Sequence, residues 1–212
     1  MTEDEIWRVV HERRLSVADL LDDLGPEEWD RPTLCAEWRV RDVAAHLTQQ
    51  QLTVRDELKM LALWRGSVEN MTRDAARRKA RSASPAQLVA ELRATAASRR
   101  HTVGVTQLEC LIDLLVHEQD IALPLGRRRE MPTTAAAVAA TRVLTMRFPP
   151  PLPSVRGMAG VRLVATDVAW THGAGPVVEG PMAALLLVCA GRTVALPELS
   201  GPGADRLRGN RS

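Results

Sequence analysis

The chain contains no tyrosine and a single phenylalanine, and even with five tryptophans the aromatic share is only 3%. A core for 212 residues must therefore come mostly from Leu, Val and Ala. That composition favours helices, because Ala and Leu are the strongest helix formers. Lysine is almost as scarce: of 28 basic residues all but Lys59 and Lys79 are arginine. With the abundant alanine, this bias is the mark of a GC-rich genome and not of a ligand. The 26 acidic residues bring the net charge to +2, too near neutral for a nucleic-acid binder. Three cysteines, Cys35, Cys110 and Cys189, are odd in number and far apart. They form neither a disulfide framework nor a CxxC metal knuckle, and a reducing cytoplasm suits them. The opening "MTEDEIWRVVHERR" has no apolar signal core. The longest apolar run, "MAALLLVCAG", is too short to span a bilayer. A soluble, cytoplasmic protein with no membrane or nucleic-acid partner is expected.

What is present is helical spacing. Thr2 and Glu5 can form a capping box. Ile6, Val9, Val10, Val17, Leu20, Leu21 and Leu24 then keep the period of a helix that Gly25-Pro26 stops. A Trp-rich loop, "EEWDRPTLCAEW", leads into a second helix from Val40 to about Trp64, with Val43, Leu47, Val54, Leu58 and Leu61 on its inner stripe. The polar, basic stretch "GSVENMTRDAARRKARS" reads as an exposed connection, or as a patch for an anionic partner. Ser84-Pro85 begins a third helix to about Arg100. A fourth runs from about Thr106 to Ile121, ended by Pro124 and Gly126, and an Ala-rich fifth covers roughly Thr133 to Arg147. Beyond the Pro-rich linker "FPPPLPS" the texture changes. "VRLVATDVAW" and "GPVVEG" read as strands, "PMAALLLVCAG" as a buried helix, and "ALPELSGPGADRL" as a further short helical piece. The fold class expected is mainly α: a helical bundle over residues 1–147, then a small α+β domain over 155–212.

The fourth helix, within "LECLIDLLVHEQDIALPLG", poses the chemical question. Asp113 and His117 stand four residues apart, on one face, amid Ile112, Leu114, Leu115 and Val116. Burying either without a partner is costly. A divalent cation is one reason to keep them, since it neutralises the acid and takes a nitrogen from the imidazole; a plain buried hydrogen bond is the other. His46 lies on the second helix between the inward residues Val43 and Leu47. Bundle sites are commonly assembled from facing helices, and three protein ligands with an open fourth position are the pattern of a catalytic zinc.

The segment "EEWDRPTLCAEWRVRDVAAHL" carries Trp29, Pro32, Thr33, Cys35, Trp38, Arg41, Asp42, Val43 and His46. It resembles the N-terminal motif of the mycothiol-dependent maleylpyruvate isomerase-like family. "LVHEQDIALPLG" is similar to that family's second signature, and "VRLVATDVAWTHGAGPVVEGPMAALLLVCAGRTVALPELSGPG" to its small C-terminal domain. The resemblance implies a DinB-like four-helix bundle and a metal, usually zinc, held by His46, Asp113 and His117. Two departures stand out. The isomerases carry Glu as the acidic ligand where Asp113 is one methylene shorter, so the helices must approach more closely or a water must bridge. Arg39 also occupies the place of a Thr or Ser cap, which weakens the helix start but not the chemistry. The resemblance further implies a low-molecular-weight thiol, mycothiol, as cosubstrate. A thiol is readily deprotonated at a metal and can add to a small electrophilic substrate, so a transferase or isomerase is expected. With water in its place the same centre would serve a hydrolase, and a bundle without turnover would be a binding or regulatory module.

Around this centre, Gln50 lies one turn beyond His46 and can face the cavity. Asp120 can orient a ligand or make a structural hydrogen bond. Asp42 suits the first turn of its helix as an acid. Trp29 and Trp38 read as packing anchors, with a substrate wall as the alternative, and Cys35 reads as a small buried residue, with an approach to the site from its loop as the alternative. His11, His101 and His172 have no companions at ligand spacing. A homodimer is compatible with such a bundle, although no exposed apolar stripe argues for one.

Overall fold

In a computed structural model of the chain, residues 1–51, 66–102, 104–147 and 151–209 are described. The chain forms two compact units, Thr2–Arg129 and, with Met1 aside, Glu130–Ser212.

The regular elements of the first unit are all helices among the described residues. Helix α1 (Glu3–Asp22) starts as expected, with the Thr2 N–H donating to Glu5 Oε2 at 2.7 Å and the Glu5 N–H to Thr2 Oγ1 at 3.3 Å. Val10, Val17, Leu20 and Leu21 on one stripe are fully buried, and burial of each such side chain contributes roughly 1.5–3 kcal/mol. Helix α2 (Val40–Thr48) passes into a single 3-10 turn over Gln49–Gln51. The remainder of the expected second helix, toward Trp64, lies outside the described residues. Arg39 offers no accepting side chain at the start of α2, and Asp42 fills the role instead by taking the Arg39 N–H at 3.0 Å.

The basic stretch differs from the sequence expectation of an exposed connection. It forms a true helix, α3 (Val68–Ser82), capped by Ser67 Oγ on the Asn70 N–H at 3.1 Å. The reason is its alanines: Ala75, Ala76 and Ala80 are buried, and α3 packs on α2. Helix α4 (Pro85–Ala94) opens with a Ser84/Gln87 capping box. It ends six residues short of the expected Arg100, where Thr95 Oγ1 turns back onto the Glu91 carbonyl at 2.8 Å. Helix α5 (Gln107–Ala122) is capped by Thr106 with Glu109 returning to it. A 3-10 turn over Leu123–Leu125 continues from its end and is closed by Gly126 at φ 68°, a left-handed position that suits glycine. Helix α1 packs against α4 and α5, and α2 against α4 and α5. Leu88, Leu92, Leu111, Leu114 and Leu115 complete the core.

The second unit begins earlier than the composition suggests. The Pro-rich stretch predicts a boundary near residue 147, yet the Ala-rich helix α6 (Thr133–Thr145) packs within the second unit, on α8 (Met182–Cys189). Ala136, Ala139, Ala140 and Val143 give α6 a buried stripe of small residues that lets two helices approach closely. Residues 148–150 of the linker lie outside the described residues, and Pro153 opens a short helix, α7 (Pro153–Gly157). Strands β1 (Arg162–Ala165), β2 (Thr171–Gly173) and β3 (Val177–Gly180) form a sheet in the order β2-β1-β3, antiparallel on the β2 side and parallel on the β3 side. The first and third were legible as strands. The second, "THG", has only three residues and no apolar alternation. A 3-10 segment (Thr193–Glu198) and α9 (Pro202–Gly209) follow.

Helix α9 lies on β3 with no room to spare. A Cβ on Gly203 would stand 2.6 Å from the Pro176 carbonyl oxygen and 2.6 Å from Val178 Cγ2. Gly203→Ala is therefore expected to lower stability by about 1–3 kcal/mol, measured as a reduced midpoint in thermal or urea unfolding. An unchanged midpoint would mean that α9 can move off the strand.

Candidate metal centre

Two helices and a loop of the first unit build one cluster. His46 sits near the C-terminal end of α2; Asp113 and His117 share a face of α5, as i, i+4 residues must. His46 Nε2 lies 3.5 Å from Asp113 Oδ2, and the two imidazole rings are 5.2 Å apart between centroids and nearly perpendicular, at 86°. One ligand atom from each of the three residues can be chosen so that all lie within 4.8 Å of one another. Donors around a tetrahedral zinc stand about 3.3 Å apart, so a small closure suffices. The donor set, two imidazoles and one carboxylate, is one that zinc accepts. The side chains are 17%, 35% and 12% exposed for His46, Asp113 and His117. That is buried enough to restrict water and open enough for a further ligand. Among the described residues this is the group of His, Cys, Asp and Glu side chains that can hold a cation.

The shorter acid still lies against the facing imidazole, Asp113 Oδ2 being 3.5 Å from His46 Nε2. Burial pushes the Asp113 carboxyl upward, but the His46 hydrogen bond and charge, the His117 charge and the Gln50 amide outweigh it, and the net shift is downward. Asp113 is thus held as an anion by its neighbours.

Behind His117 stands Asp120. It is fully buried, and its Oδ2 lies 2.8 Å from His117 Nδ1. With the carboxylate as acceptor, Nδ1 carries the proton and Nε2 is left with a free lone pair. The main-chain carbonyl of the same Asp120 accepts the Leu34 N–H at 3.1 Å. Of the two readings open for Asp120, orienting a histidine fits this geometry, and the residue also docks the loop over 31–39. That loop returns on itself through the Thr33 N–H to the Trp38 carbonyl, 3.0 Å. It presents Trp38, 8% exposed, edge-on to His46 at 5.5 Å. Glu37, at φ 65°, is the one non-glycine residue with positive φ among the described residues. Arg73 and Arg77 of α3 hold it, Arg73 at 3.3 Å from its carboxylate and Arg77 donating to its carbonyl at 2.6 Å. The basic stretch that sequence left open to an anionic partner therefore spends two of its arginines on this loop.

Trp29 is buried at 3% as an anchor. His101 stacks on Trp7 and His172 on Trp170, and neither joins the cluster. Sequence reasoning missed Arg14. Its signal was available, because Val10, Arg14, Val17 and Leu21 keep one helical stripe and an arginine in such a stripe is out of place.

Residues 10–109 match the family model for the mycothiol maleylpyruvate isomerase N-terminal domain. That stretch contains the first of the motifs that carry the resemblance, "EEWDRPTLCAEWRVRDVAAHL". A crystal structure of a histidine-to-alanine mutant of the mycothiol-dependent maleylpyruvate isomerase aligns with a TM-score of 0.65 at 13% identity, over 96% of this chain and 94% of that one. A further crystal structure of the mycothiol-dependent maleylpyruvate isomerase gives 0.57 at 14% identity, with the same coverage. The chain thus has the maleylpyruvate isomerase fold along nearly its whole length. Among curated proteins none matches the chain. No helix among the described residues is long and apolar enough to cross a membrane.

The cysteines divide sharply. Burial pushes Cys110 and Cys189 each up to about 12, which keeps both as thiols, whereas Cys35 is half-buried in the loop. In the native protein a chromogenic disulfide reagent should modify Cys35 alone on a fast timescale, with the other two reacting after denaturation. Fast modification of two or more thiols in the native protein would contradict this burial.

Proposed function

We propose that this protein is a metal-dependent enzyme that activates a low-molecular-weight thiol, mycothiol, toward a small electrophilic substrate, as an isomerase or thiol transferase of the cytoplasm. The observation that carries the reading is the convergence of His46, Asp113 and His117 within 4.8 Å, in a chain whose residues 10–109 match the family model for the mycothiol maleylpyruvate isomerase N-terminal domain.

The three side chains would hold the ion, with zinc fitting the donor set. A bound zinc supplies Lewis acidity and lowers the pKa of a thiol that reaches it. The rest falls to the chain's own residues. Asp120 keeps the His117 proton on Nδ1 and its Nε2 free. Asp113 contributes the negative charge that makes the donor set complementary to a dication. Trp38 covers one side of His46, excluding water there and leaving an apolar wall for substrate. Gln50 steadies the acid.

Protein isolated without added metal should contain about one equivalent of zinc, and His46→Ala and His117→Ala should each lose it. Equal metal content in all three proteins would remove the assignment. Metal-loaded enzyme should then conjugate mycothiol to, or isomerise, a member of a panel of activated alkenes and other electrophiles. A zinc-loaded protein with no mycothiol-dependent turnover on the panel would favour a binding module instead. Asp120→Asn keeps an acceptor for the imidazole but removes its charge. It is expected to weaken zinc binding by about tenfold to a hundredfold, measured by chelator competition, with wild-type affinity counting against the orienting role.

A further inference from the structure

Arg14 projects from α1 into the core of the first unit and is 1% exposed. Its Nη1 donates to the carbonyls of Thr95 at 3.2 Å, Ala96 at 3.4 Å and Ser98 at 2.7 Å, just beyond the C-terminal end of α4. Its Nη2 donates to Gln50 Oε1 at 3.5 Å. None of these four partners is a carboxylate. A guanidinium is costly to bury without one, and here the negative end of a helix and an amide oxygen take the place of the acid.

The consequence falls on Gln50. An amide has one oxygen that accepts and one nitrogen that donates, and its two orientations differ only by a flip. A guanidinium can only donate, so Oε1 must face Arg14 and the NH2 group must face the other way. There, Nε2 donates to the Cys110 carbonyl at 3.3 Å, one turn of α5 before Asp113. Its second N–H is left for the Asp113 carboxylate, which has the Gln50 amide among its hydrogen-bond partners. With the amide reversed, Oε1 would confront both the Cys110 carbonyl and the Asp113 carboxylate, acceptor against acceptor. The main chain of Gln50 is fixed as well, its carbonyl taking the Thr102 N–H at 3.1 Å and the Thr102 hydroxyl at 3.3 Å. Its neighbours share the duty: Gln49 donates to the Ala75 carbonyl at 3.4 Å and Gln51 to the Thr95 carbonyl at 3.2 Å. The triplet "QQQ" is a junction between α2, α3, α4 and α5, and its middle member points toward the acid of the cluster.

We propose that Arg14 is a positioning residue for the cation site: by fixing the orientation of the Gln50 amide, it aims the Asp113 carboxylate at the position where His46 and His117 converge. This rests on the reading of those three residues as cation ligands. Arg14 touches neither the cation nor a substrate and acts only through Gln50.

Zinc affinity of the full chain, measured by competition with a chromophoric chelator, tests the relay through a double-mutant cycle. Gln50→Leu should weaken zinc binding by about tenfold to a hundredfold, the range for residues that orient a ligand. Arg14→Met should weaken it in the same direction, and the double variant should bind zinc no more weakly than Gln50→Leu alone. A merely structural arginine would instead add its own loss in the double variant. Where Arg14→Met does not fold, Arg14→Lys takes its place in the cycle, because it keeps a cation at the α4 carbonyls and loses the second arm; the same non-additivity is expected. Additive losses, or wild-type zinc affinity in Gln50→Leu, would overturn the proposal while leaving the cation site intact. A wild-type protein that binds zinc no better than His46→Ala would remove the site, and the relay with it.

Discussion

The centre of the first unit turns on Asp120. A fully buried carboxylate near the C-terminal end of a helix is doubly unfavourable, for it is desolvated and it faces the negative pole of the helix dipole. Its place is justified by two bonds made at once. The carboxylate takes the Nδ1 proton of His117, and the main-chain carbonyl takes the Leu34 N–H. Through the first, one imidazole acquires a fixed tautomer. Through the second, the loop that carries Trp38 is tied to α5, and Trp38 in turn contacts the other imidazole. The two stretches of sequence that separately resemble the family, "EEWDRPTLCAEWRVRDVAAHL" and "LVHEQDIALPLG", meet at this one residue.

Burial of polar groups is confined in a telling way. Among the described residues every buried polar or charged side chain, from Arg14 to Asp120, belongs to the first unit. Arg14 answers main-chain carbonyls and Gln50, and Glu118 takes the Ser16 hydroxyl at 2.6 Å and Arg13 at 3.5 Å. Asp42 caps its own helix. Each such group loses hydration and must be repaid by a hydrogen bond. A core that accepts this cost repeatedly around one cluster is built to orient side chains and not only to exclude water. The second unit does the opposite: α8 buries Met182, Leu185, Leu186 and Leu187 with no polar partner to satisfy.

The helices and the pair on α5 were readable from sequence because periodicity and capping are local. Thr2 with Glu5, Ser84 with Gln87, and the i, i+4 relation of Asp113 to His117 need no knowledge of the rest of the chain. What depended on packing was not readable. The "GSVENMTRDAARRKARS" stretch looks like a solvated connection until Ala75, Ala76 and Ala80 find α2 to cover them. The Pro-rich stretch suggests a boundary at residue 147, but the small-residue stripe of α6 has its partner in α8, and the division falls at residue 129. His46 belongs with α5 through a resemblance, since spacing alone cannot join residues 67 positions apart. Arg14 stood on an apolar stripe in plain view, yet its partners are carbonyls just past α4 and an amide beyond α2, which no local pattern connects.

The short acid is where these themes combine. Asp113 gives up a methylene of reach compared with Glu, and something must supply it. Ala44 and Ala45, both fully buried beside His46 on α2, add little bulk to a helix that packs on three others. Asp113 Oδ2 lies 3.5 Å from His46 Nε2. Reach is only half of the requirement, because a donor must also be held in one orientation. Asp has one fewer side-chain torsion to fix than Glu, so less rotamer entropy is lost when it is ordered, and Gln50, pinned between Arg14 and Cys110, supplies a neighbour that holds its charge in place. A shorter carboxylate trades adaptability for fixity, and that trade is sound only if its surroundings are rigid. The buried Arg14 and the hydrogen-bonded glutamine triplet are the neighbours placed to supply such surroundings here.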